Sequence, residues 1–321
     1  MKSLFFDGRD LFIREMDIPI PGQGEVLIRV LMAGICKTDL EIVKGYMDFK
    51  GILGHEFVGE VVEAENKSLI GKRVVGEINC PCYRCSFCLQ GMSNHCPTRT
   101  VLGINNRDGV FAEYTTLPER NLHIVPDSVS DEVAVFTEPV AAGFRILEQI
   151  QFNPEDFVVV LGDGRMGQII SQIINPYVRR LVCVGKHTKK LFLLNIIGID
   201  TCLLDYWKDK NLDVVIDATG NPTAQSLALD RLRPQGTLVI KSTTEEQNTL
   251  NLSKLVVDEI KIIGSRCGPF GPALKALSEK KVEVEYMISY KFAFEDIIKA
   301  FEIAQSKDCL KVLIDFRNKK G

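Results

Sequence analysis

The stretch FVVVLGDGRMGQIISQII, residues 157–174, decides the fold. An apolar run typical of a buried strand leads into a glycine-rich turn and then into a helical pattern that stops near Pro176. In a dinucleotide-binding loop the first glycine allows the tight turn, the second admits the pyrophosphate, and the third lets helix and strand pack closely, while the helix N-terminus supplies amide donors. The alternative is a glycine turn without a ligand. The predicted cofactor contacts are Gly162, Gly164, Arg165, Met166 and Gly167.

The sequence on the C-terminal side of this loop has the pattern of strands alternating with helices. From about Asp156 the runs FVVVLGDG, RLVCVG, DVVIDATG and GTLVIKS are apolar and then stop at glycine or a polar residue, as buried parallel strands do. We therefore predict a doubly wound parallel sheet of the Rossmann type. Ala218 and Thr219 end a later strand at the carboxyl edge, where ligands of such sheets bind, so both are further candidate cofactor contacts. The alternative is an ordinary polar strand end.

The run LVCVGKHTKK, residues 181–190, bears on the choice of cofactor. A site for NAD usually has Asp or Glu about 20 residues beyond the loop, where it accepts hydrogen bonds from the ribose 2′-hydroxyl. This run contains no carboxylate, and Gly185 aligns with the acid. A 2′-phosphate needs space, which Gly185 offers, and positive donors, which Lys186, His187 and Lys190 offer. We therefore predict a preference for NADP over NAD. The alternative is that the basic residues are a solvated helix start.

The parts of the chain before about residue 135 and after Gly264 have a different sequence pattern. Up to about residue 135, short β-rich runs such as GEVLIRVLMAG, FVGEVVEA, GKRVVGEI and AEYTTLP are separated by glycine and proline, which predicts a compact barrel or sandwich. After Gly264 come the helical KALSEKK, the strand-like YMISYKF, the amphipathic EDIIKAFEIAQ and a last strand, KVLIDF. This tail is too short for a third domain, and we expect it to pack on the first.

Composition excludes several classes of protein. The 321 residues are 45% hydrophobic, enough for a buried core, and the net charge of −3 offers no basic field for a nucleic acid. The N-terminal run lacks the pattern of a signal peptide, and no apolar run approaches the roughly 20 residues of a membrane span. We therefore predict a cytoplasmic protein with small-molecule partners, without nucleic acid or membrane, and an assembly that is a homodimer or homotetramer.

Five of the ten cysteines lie in CPCYRCSFCLQGMSNHC, residues 80–96. Four of them follow C-x2-C-x2-C-x7-C, and four thiolates at such spacing can close a tetrahedral zinc site that leaves no position for substrate. An iron–sulfur cluster and a metal-free thiol loop are the alternatives. Cys80 lies two residues before Cys82 and outside this spacing. The predicted ligands of this structural zinc are Cys82, Cys85, Cys88 and Cys96.

A second set of metal-binding residue types is spread through the β-rich part and just beyond it. The runs are GICKTD at 34–39, GHE at 54–56 and TEP at 137–139. A catalytic zinc takes about three Cys, His or Glu ligands and keeps one position open. Taken singly, each candidate has an ordinary explanation: Cys36 as a small core residue, His55 in a hydrogen-bonded turn, and Glu138 as an acid at a helix start.

Together, G-I-C-x-T-D, G-H-E-x-x-G, the four-cysteine spacing, E-P-x-A and G-x-G-x-x-G resemble the zinc-dependent medium-chain dehydrogenase/reductase family over nearly the whole chain. The resemblance implies an α/β protein in which a GroES-like catalytic domain, residues 1–140 and 268–321, is interrupted by a Rossmann domain, residues 141–267. It implies two zinc ions per chain. The residues matching the catalytic zinc ligands are Cys36, His55 and Glu138, with Glu56 the acid beside the metal and Thr38 the hydroxyl that takes the substrate proton.

The activity that the resemblance implies is alcohol oxidation. Zinc acts as a Lewis acid that lowers the pKa of the alcohol oxygen, and hydride passes to the nicotinamide. Glu138 rather than cysteine in the third ligand position resembles the sorbitol, threonine and glucose dehydrogenase branch, which favours a polyol, sugar or secondary alcohol. The alternative function is a catalytically silent nucleotide-sensing protein with a structural zinc only.

Overall fold

The computed structural model describes residues 1–243 and 250–317, and the chain divides into two compact units. The β-rich unit comprises residues 1–138 and 273–278 and the chain from Met287 onward. The parallel-sheet unit comprises residues 139–272 and 279–286. The first division therefore falls two residues before the predicted one, whereas the second is interleaved, because residues 279–286 join the parallel-sheet unit.

Strands dominate the first unit and alternate with helices in the second. In chain order the strands are β1 Lys2–Phe6, β2 Leu11–Glu15, β3 Glu25–Ile35, β4 Gly51–Ile52, β5 Glu56–Glu63, β6 Arg73–Gly76, β7 Asn79–Cys80, β8 Thr100–Val101, β9 Tyr114–Pro118, β10 Leu122–Ile124, β11 Phe157–Leu161, β12 Arg180–Gly185, β13 Asp200–Leu203, β14 Leu212–Asp217, β15 Leu232–Ile240, β16 Lys261–Gly264, β17 Ile288–Ala293 and β18 Lys311–Asp315.

The α-helices are shorter and mostly follow strands. They are α1 Lys37–Val43, α2 Ser86–Leu89, α3 Asp131–Ala134, α4 Thr137–Gln149, α5 Arg165–Ile174, α6 Thr188–Ile196, α7 Pro222–Arg231, α8 Leu252–Val257, α9 Phe270–Ser278 and α10 Ile297–Ala304. Among the described residues, no helix is both long enough and apolar enough to cross a membrane.

The main sheet of the β-rich unit is built around the long strand β3. The strand order is β10-β6-β5-β3-β18-β17, and β9 also pairs with β3. The last strands of the chain thus complete the first sheet, as the sequence predicts. In the antiparallel registers, Gly34 at the end of β3 lies opposite Glu56 of β5, and Ile35 lies opposite Val312 of β18. The ends of three strands therefore meet at one point.

The second unit holds a six-stranded, entirely parallel sheet in the order β13-β12-β11-β14-β15-β16. Numbered within the unit this is 3-2-1-4-5-6, the doubly wound order in which ligands bind at the switch point between the first and fourth strands. Strand β11 is buried along its whole length, and Val159 and Leu161 pack with Trp207 and Val215 in the core. The predicted fold class is confirmed.

Candidate functional site

A group of metal-ligand atoms lies where β3 and β5 meet, and two of its three residues are buried. Cys36 directly follows β3 and caps α1, and His55 directly precedes Glu56, the first residue of β5. One ligand atom from each of Cys36, His55 and Glu56 lies within 4.8 Å of the other two. His55 and Glu56 are buried, with 3% and 1% of their surface exposed. A thiol, an imidazole and a carboxylate in this arrangement are the donor set of a zinc site with an open position.

The buried carboxylate of Asp39 holds two of these segments in place. Its Oδ2 accepts a hydrogen bond from the Cys36 amide at 2.8 Å, and its Oδ1 accepts one from the Gly54 amide at 3.2 Å. Oδ1 also lies 3.3 Å from Nδ1 of His55. A carboxylate at Nδ1 orients an imidazole ligand and leaves Nε2 for a metal. Asp39 therefore fixes the backbone of Cys36 and of Gly54, and its carboxylate lies beside the imidazole of His55.

The electrostatics of this group favour a positive charge. Burial lowers the pKa of His55, but the carboxylate of Asp39 and the sulfur of Cys36 outweigh burial, so the pKa is raised well above its usual value. A buried imidazole that gains a proton against the cost of desolvation marks a place where a cation is stabilised. The donor set and its charge thus fit a zinc ion.

Lys311, the first residue of β18, lies beneath the group and forms an ion pair with Glu56. Its side chain is fully buried over the ring of Phe136, and burial lowers its pKa to about 8 although Cys36 and Asp39 act in the opposite direction. The side chain crosses Gly34, where an added Cβ would lie 2.6 Å from Nζ of the lysine. Glycine in the GICKTD run is therefore required by the lysine.

Two other predicted site residues, Thr38 and Glu138, differ in their relation to the group. The hydroxyl of Thr38 lies 3.7 Å from the Cys36 sulfur on the first turn of α1. Glu138, half-buried in the first turn of α4, does not belong to the set of three whose ligand atoms lie within 4.8 Å. The acid in that set is Glu56. A ligand role for Glu138 stays a prediction.

The four cysteines of the predicted structural site converge. Neighbouring sulfurs lie 3.5 Å apart for Cys85 and Cys88, 3.8 Å for Cys85 and Cys96, and 3.6 Å for Cys82 and Cys96. Tetrahedral zinc with Zn–S bonds of about 2.3 Å places its sulfurs about 3.8 Å apart, so the cluster fits the metal. Backbone amides lower the pKa of Cys82, which favours the thiolate. Cys80 is outside the group, 3.6 Å from the Asn121 amide.

The glycine loop between β11 and α5 has the expected shape. Gly162 has a φ of +114°, in the region that favours glycine. A Cβ on Gly167 would overlap the carbonyl oxygen of Gly162, so helix and strand pack backbone to backbone. In the described part of the chain, no heavy atom beyond the residues adjacent to Gly164 lies within 4 Å of its Cβ position, so a ligand can approach its backbone. Arg165 and Met166 follow as the first residues of α5.

The end of β12 differs from the sequence-based expectation. The space that Gly185 was expected to offer a 2′-phosphate is filled by Asp163, since a Cβ on Gly185 would lie 2.6 Å from the Asp163 carboxyl carbon. The carboxylate accepts hydrogen bonds from the amides of Lys186 and His187 and from the His187 ring. Lys190 is buried in α6. The NADP preference stays a prediction, and the structure adds that a loop side chain, Asp163, places an acid where the strand has none.

The end of β14 lies beside the glycine loop. The carbonyl of Leu161 accepts a hydrogen bond from the Ala218 amide at 2.8 Å, so residue 218 lies next to Gly162. The buried carboxylate of Asp217 accepts hydrogen bonds from the amide and hydroxyl of Thr219 at 2.9 and 2.6 Å. Ala218 and Thr219 are thus held at the switch point of the sheet.

Comparisons with known proteins agree with this geometry. The family described as "Alcohol dehydrogenase GroES-like domain" matches residues 22–127, and the one described as "Zinc-binding dehydrogenase" matches residues 186–280. Sorbitol dehydrogenase of Halalkalibacterium halodurans is 30% identical over 94% of each chain. The starvation-sensing protein RspB of Escherichia coli is 30% identical over 98% of this chain and 99% of its own. The chain belongs to the zinc-dependent medium-chain dehydrogenase/reductase family.

A solved structure extends the similarity to the whole fold. The crystal structure of RspB from Escherichia coli CFT073, in complex with NADH, has a TM-score of 0.92 and 27% identity and covers 98% of this chain and 99% of its own. The predicted family is confirmed. As a medium-chain dehydrogenase/reductase, the protein is a zinc-dependent oxidoreductase that acts on an alcohol/carbonyl pair with a nicotinamide cofactor.

Two residues of this dehydrogenase were missed by reasoning from the sequence. Lys311 begins an apolar run, KVLIDF, and an initial lysine is ordinarily exposed. Asp163 occupies a variable position of the glycine motif. An acid there, combined with the missing acid after β12, is the signal that could have found it.

Proposed function

We propose that the chain oxidises a polyol or a related secondary alcohol at a zinc ion held by Cys36, His55 and Glu56. The observation that carries this proposal is the set of one half-buried thiol, one buried imidazole and one buried carboxylate whose ligand atoms lie within 4.8 Å of one another. A bound zinc supplies Lewis-acid chemistry that makes an alcohol oxygen more acidic, and a nicotinamide accepts the hydride.

The chain's own residues prepare this chemistry. Asp39 orients the imidazole of His55 and fixes the backbone of Cys36. Lys311 balances the charge of Glu56, so that the negative charge of the ligand set is partly compensated inside the protein. The hydroxyl of Thr38 accepts the proton that leaves the substrate in this proposal, and its distance of 3.7 Å from the Cys36 sulfur supports that role.

Relatives and ligand type support the substrate class. One of the most similar relatives is a sorbitol dehydrogenase, and it matches nearly the whole chain. A carboxylate in the zinc set, rather than a second thiolate, gives a harder site that suits substrates with several hydroxyls. A vicinal hydroxyl of a polyol can also donate a hydrogen bond to such a site.

A second zinc is proposed at Cys82, Cys85, Cys88 and Cys96, where it stabilises the loop without reaching substrate. The cysteines must be reduced to bind it, which supports a reducing compartment such as the cytoplasm. The homodimer or homotetramer remains a prediction. The cofactor is proposed to bind at Gly162, Gly164, Arg165, Met166 and Gly167, with Ala218 and Thr219.

The test is a panel of polyols, sugars and secondary alcohols assayed with NAD and with NADP, with His55→Ala as the inactive control. The expected result is oxidation of at least one polyol by the native protein and none by the variant. Failure of every alcohol and of every corresponding carbonyl would remove the proposed function, and about one zinc ion per chain in that protein would favour a nucleotide-sensing protein with a structural zinc only.

A further inference from the structure

We propose that Asp163, inside the glycine loop, selects NAD by accepting a hydrogen bond from the adenosine ribose 2′-hydroxyl and by excluding a 2′-phosphate. The inference rests on the proposed function, because it concerns the cofactor of that reaction. The proposal replaces the expected preference for NADP, which rested on the residues after β12, with a preference for NAD. It assigns the selection of the cofactor to a residue of the glycine loop.

The first observation is the position of the carboxylate. Oδ2 of Asp163 accepts hydrogen bonds of 2.7 Å from the Lys186 amide and 2.6 Å from the His187 amide. These amides directly follow the last residue of β12, where an NAD-binding Rossmann site ordinarily has its acid. Asp163 lies 23 positions before Lys186, so the same place is reached from a different part of the chain.

The second observation is that Asp163 and Gly185 share one volume. A Cβ on Gly185 would lie 2.5 Å from Cβ and 2.6 Å from Cγ of Asp163. An acid at position 185 and an acid at position 163 therefore exclude each other. Glycine at the strand end is needed by the aspartate and does not provide room for a phosphate.

The third observation is that the carboxylate retains capacity for one hydroxyl. A carboxylate accepts about four hydrogen bonds, and Asp163 receives one from each of two amides and one from Nδ1 of His187 at 2.9 Å. Its side chain keeps 8% of its surface exposed. A ribose hydroxyl can donate to the remaining site, whereas a 2′-phosphate carries two negative charges and no donor to match it.

The basic residues Lys186, His187 and Lys190 do not neutralise the negative charge that Asp163 presents to the cofactor. The ring of His187 is already bonded to Asp163, and Lys190 is only 9% exposed. The ammonium of Lys186 extends from an exposed residue, where its charge is screened by salt. The charge closest to the ribose is therefore the carboxylate.

The experiment measures dissociation constants of NADH and NADPH by calorimetry, without any substrate, in native protein and in Asp163→Asn. We expect the native protein to bind NADH at least tenfold more tightly than NADPH, and the variant to shift this ratio at least tenfold towards NADPH. Asp200→Asn, which removes an exposed acid from the opposite end of the neighbouring strand β13, is the matched control and should leave the ratio unchanged.

A double variant keeps the test decisive if Asp163→Asn folds poorly. Because the two positions share one volume, Asp163→Gly/Gly185→Asp moves the acid to the strand end and should keep the NADH preference. Native protein that binds NADPH as tightly as NADH, or a ratio unmoved by Asp163→Asn, overturns the assignment to Asp163 while leaving the dehydrogenase proposal intact. Absence of binding to either nucleotide would instead remove the proposed function itself.

Discussion

Lys311 and Glu56 form an ion pair in which neither side chain has more than 1% of its surface exposed. The pair joins the first residue of the last strand to the first residue of β5, directly beneath the zinc-ligand set. Removing one partner of such a pair leaves an uncompensated buried charge, whereas removing both does not.

Lys311→Met should therefore lower the free energy of unfolding by about 3–5 kcal/mol. In chelator-stripped protein, where Glu56 holds no zinc, the double variant Lys311→Met/Glu56→Gln should lose less than the single variant, because no buried charge is left unpaired. Urea unfolding measures both. Lys291→Met is the control, since Lys291 pairs with Glu132 at an exposed site and such pairs contribute about 0–1 kcal/mol. Equal losses for Lys311→Met and the control would contradict the account of the buried pair.

Cys85→Ser should release one zinc ion per chain and lower the melting temperature, because the energy of binding a structural metal is folding energy. Metal analysis and thermal unfolding measure the two effects. The matched control is Cys80→Ser, because Cys80 lies in the same run but outside the sulfur cluster. A variant that keeps both its zinc content and its stability would rule out the structural site.

Asp39→Asn should weaken binding of the catalytic zinc by about 10- to 100-fold, because the amide orients His55 less firmly than the carboxylate does. Competition with a chelator measures the affinity, and the four-cysteine zinc should be unaffected. Asp48→Asn, at an exposed turn of the same unit, serves as the control. If zinc affinity is the same in Asp39→Asn and in native protein, Asp39 does not position the ligands.

His55→Ala should abolish alcohol oxidation while the dissociation constant of the nucleotide changes less than about twofold, because the glycine loop belongs to the other unit. Steady-state assays and calorimetry separate the two effects. His123→Ala, which alters a half-exposed histidine paired with Glu77, should keep its activity. Substantial activity in His55→Ala would exclude a catalytic zinc at this histidine.

The elements of the fold that were predicted correctly are those that residues adjacent in the sequence specify. The strand, turn and helix around Gly162 follow from a local pattern, and so do the apolar strands β12, β14 and β15. The edge strands β13 and β16 were not predicted, because their residues are mostly half-exposed or exposed and form no apolar run.

The site was predicted less completely, since two of its residues act through distant contacts. Lys311 reaches the site because β18 pairs with β3, a register that no local pattern specifies. Asp163 fills the space above Gly185 from another loop, so the charges within residues 181–190 alone do not describe the surroundings of Gly185. Cys36, His55 and Glu56 all lie in short contiguous motifs and were named from the family resemblance, but the third ligand expected was Glu138, with Glu56 beside the metal.

The most direct test of the central claim is a zinc titration of chelator-stripped protein, with oxidation of an accepted polyol as the readout. The four-thiolate site should take the first equivalent, so activity should stay near zero until about one zinc per chain is bound and then rise to its maximum at about two. Full activity at one zinc per chain, or activity that does not depend on zinc, would contradict a catalytic metal held by Cys36, His55 and Glu56.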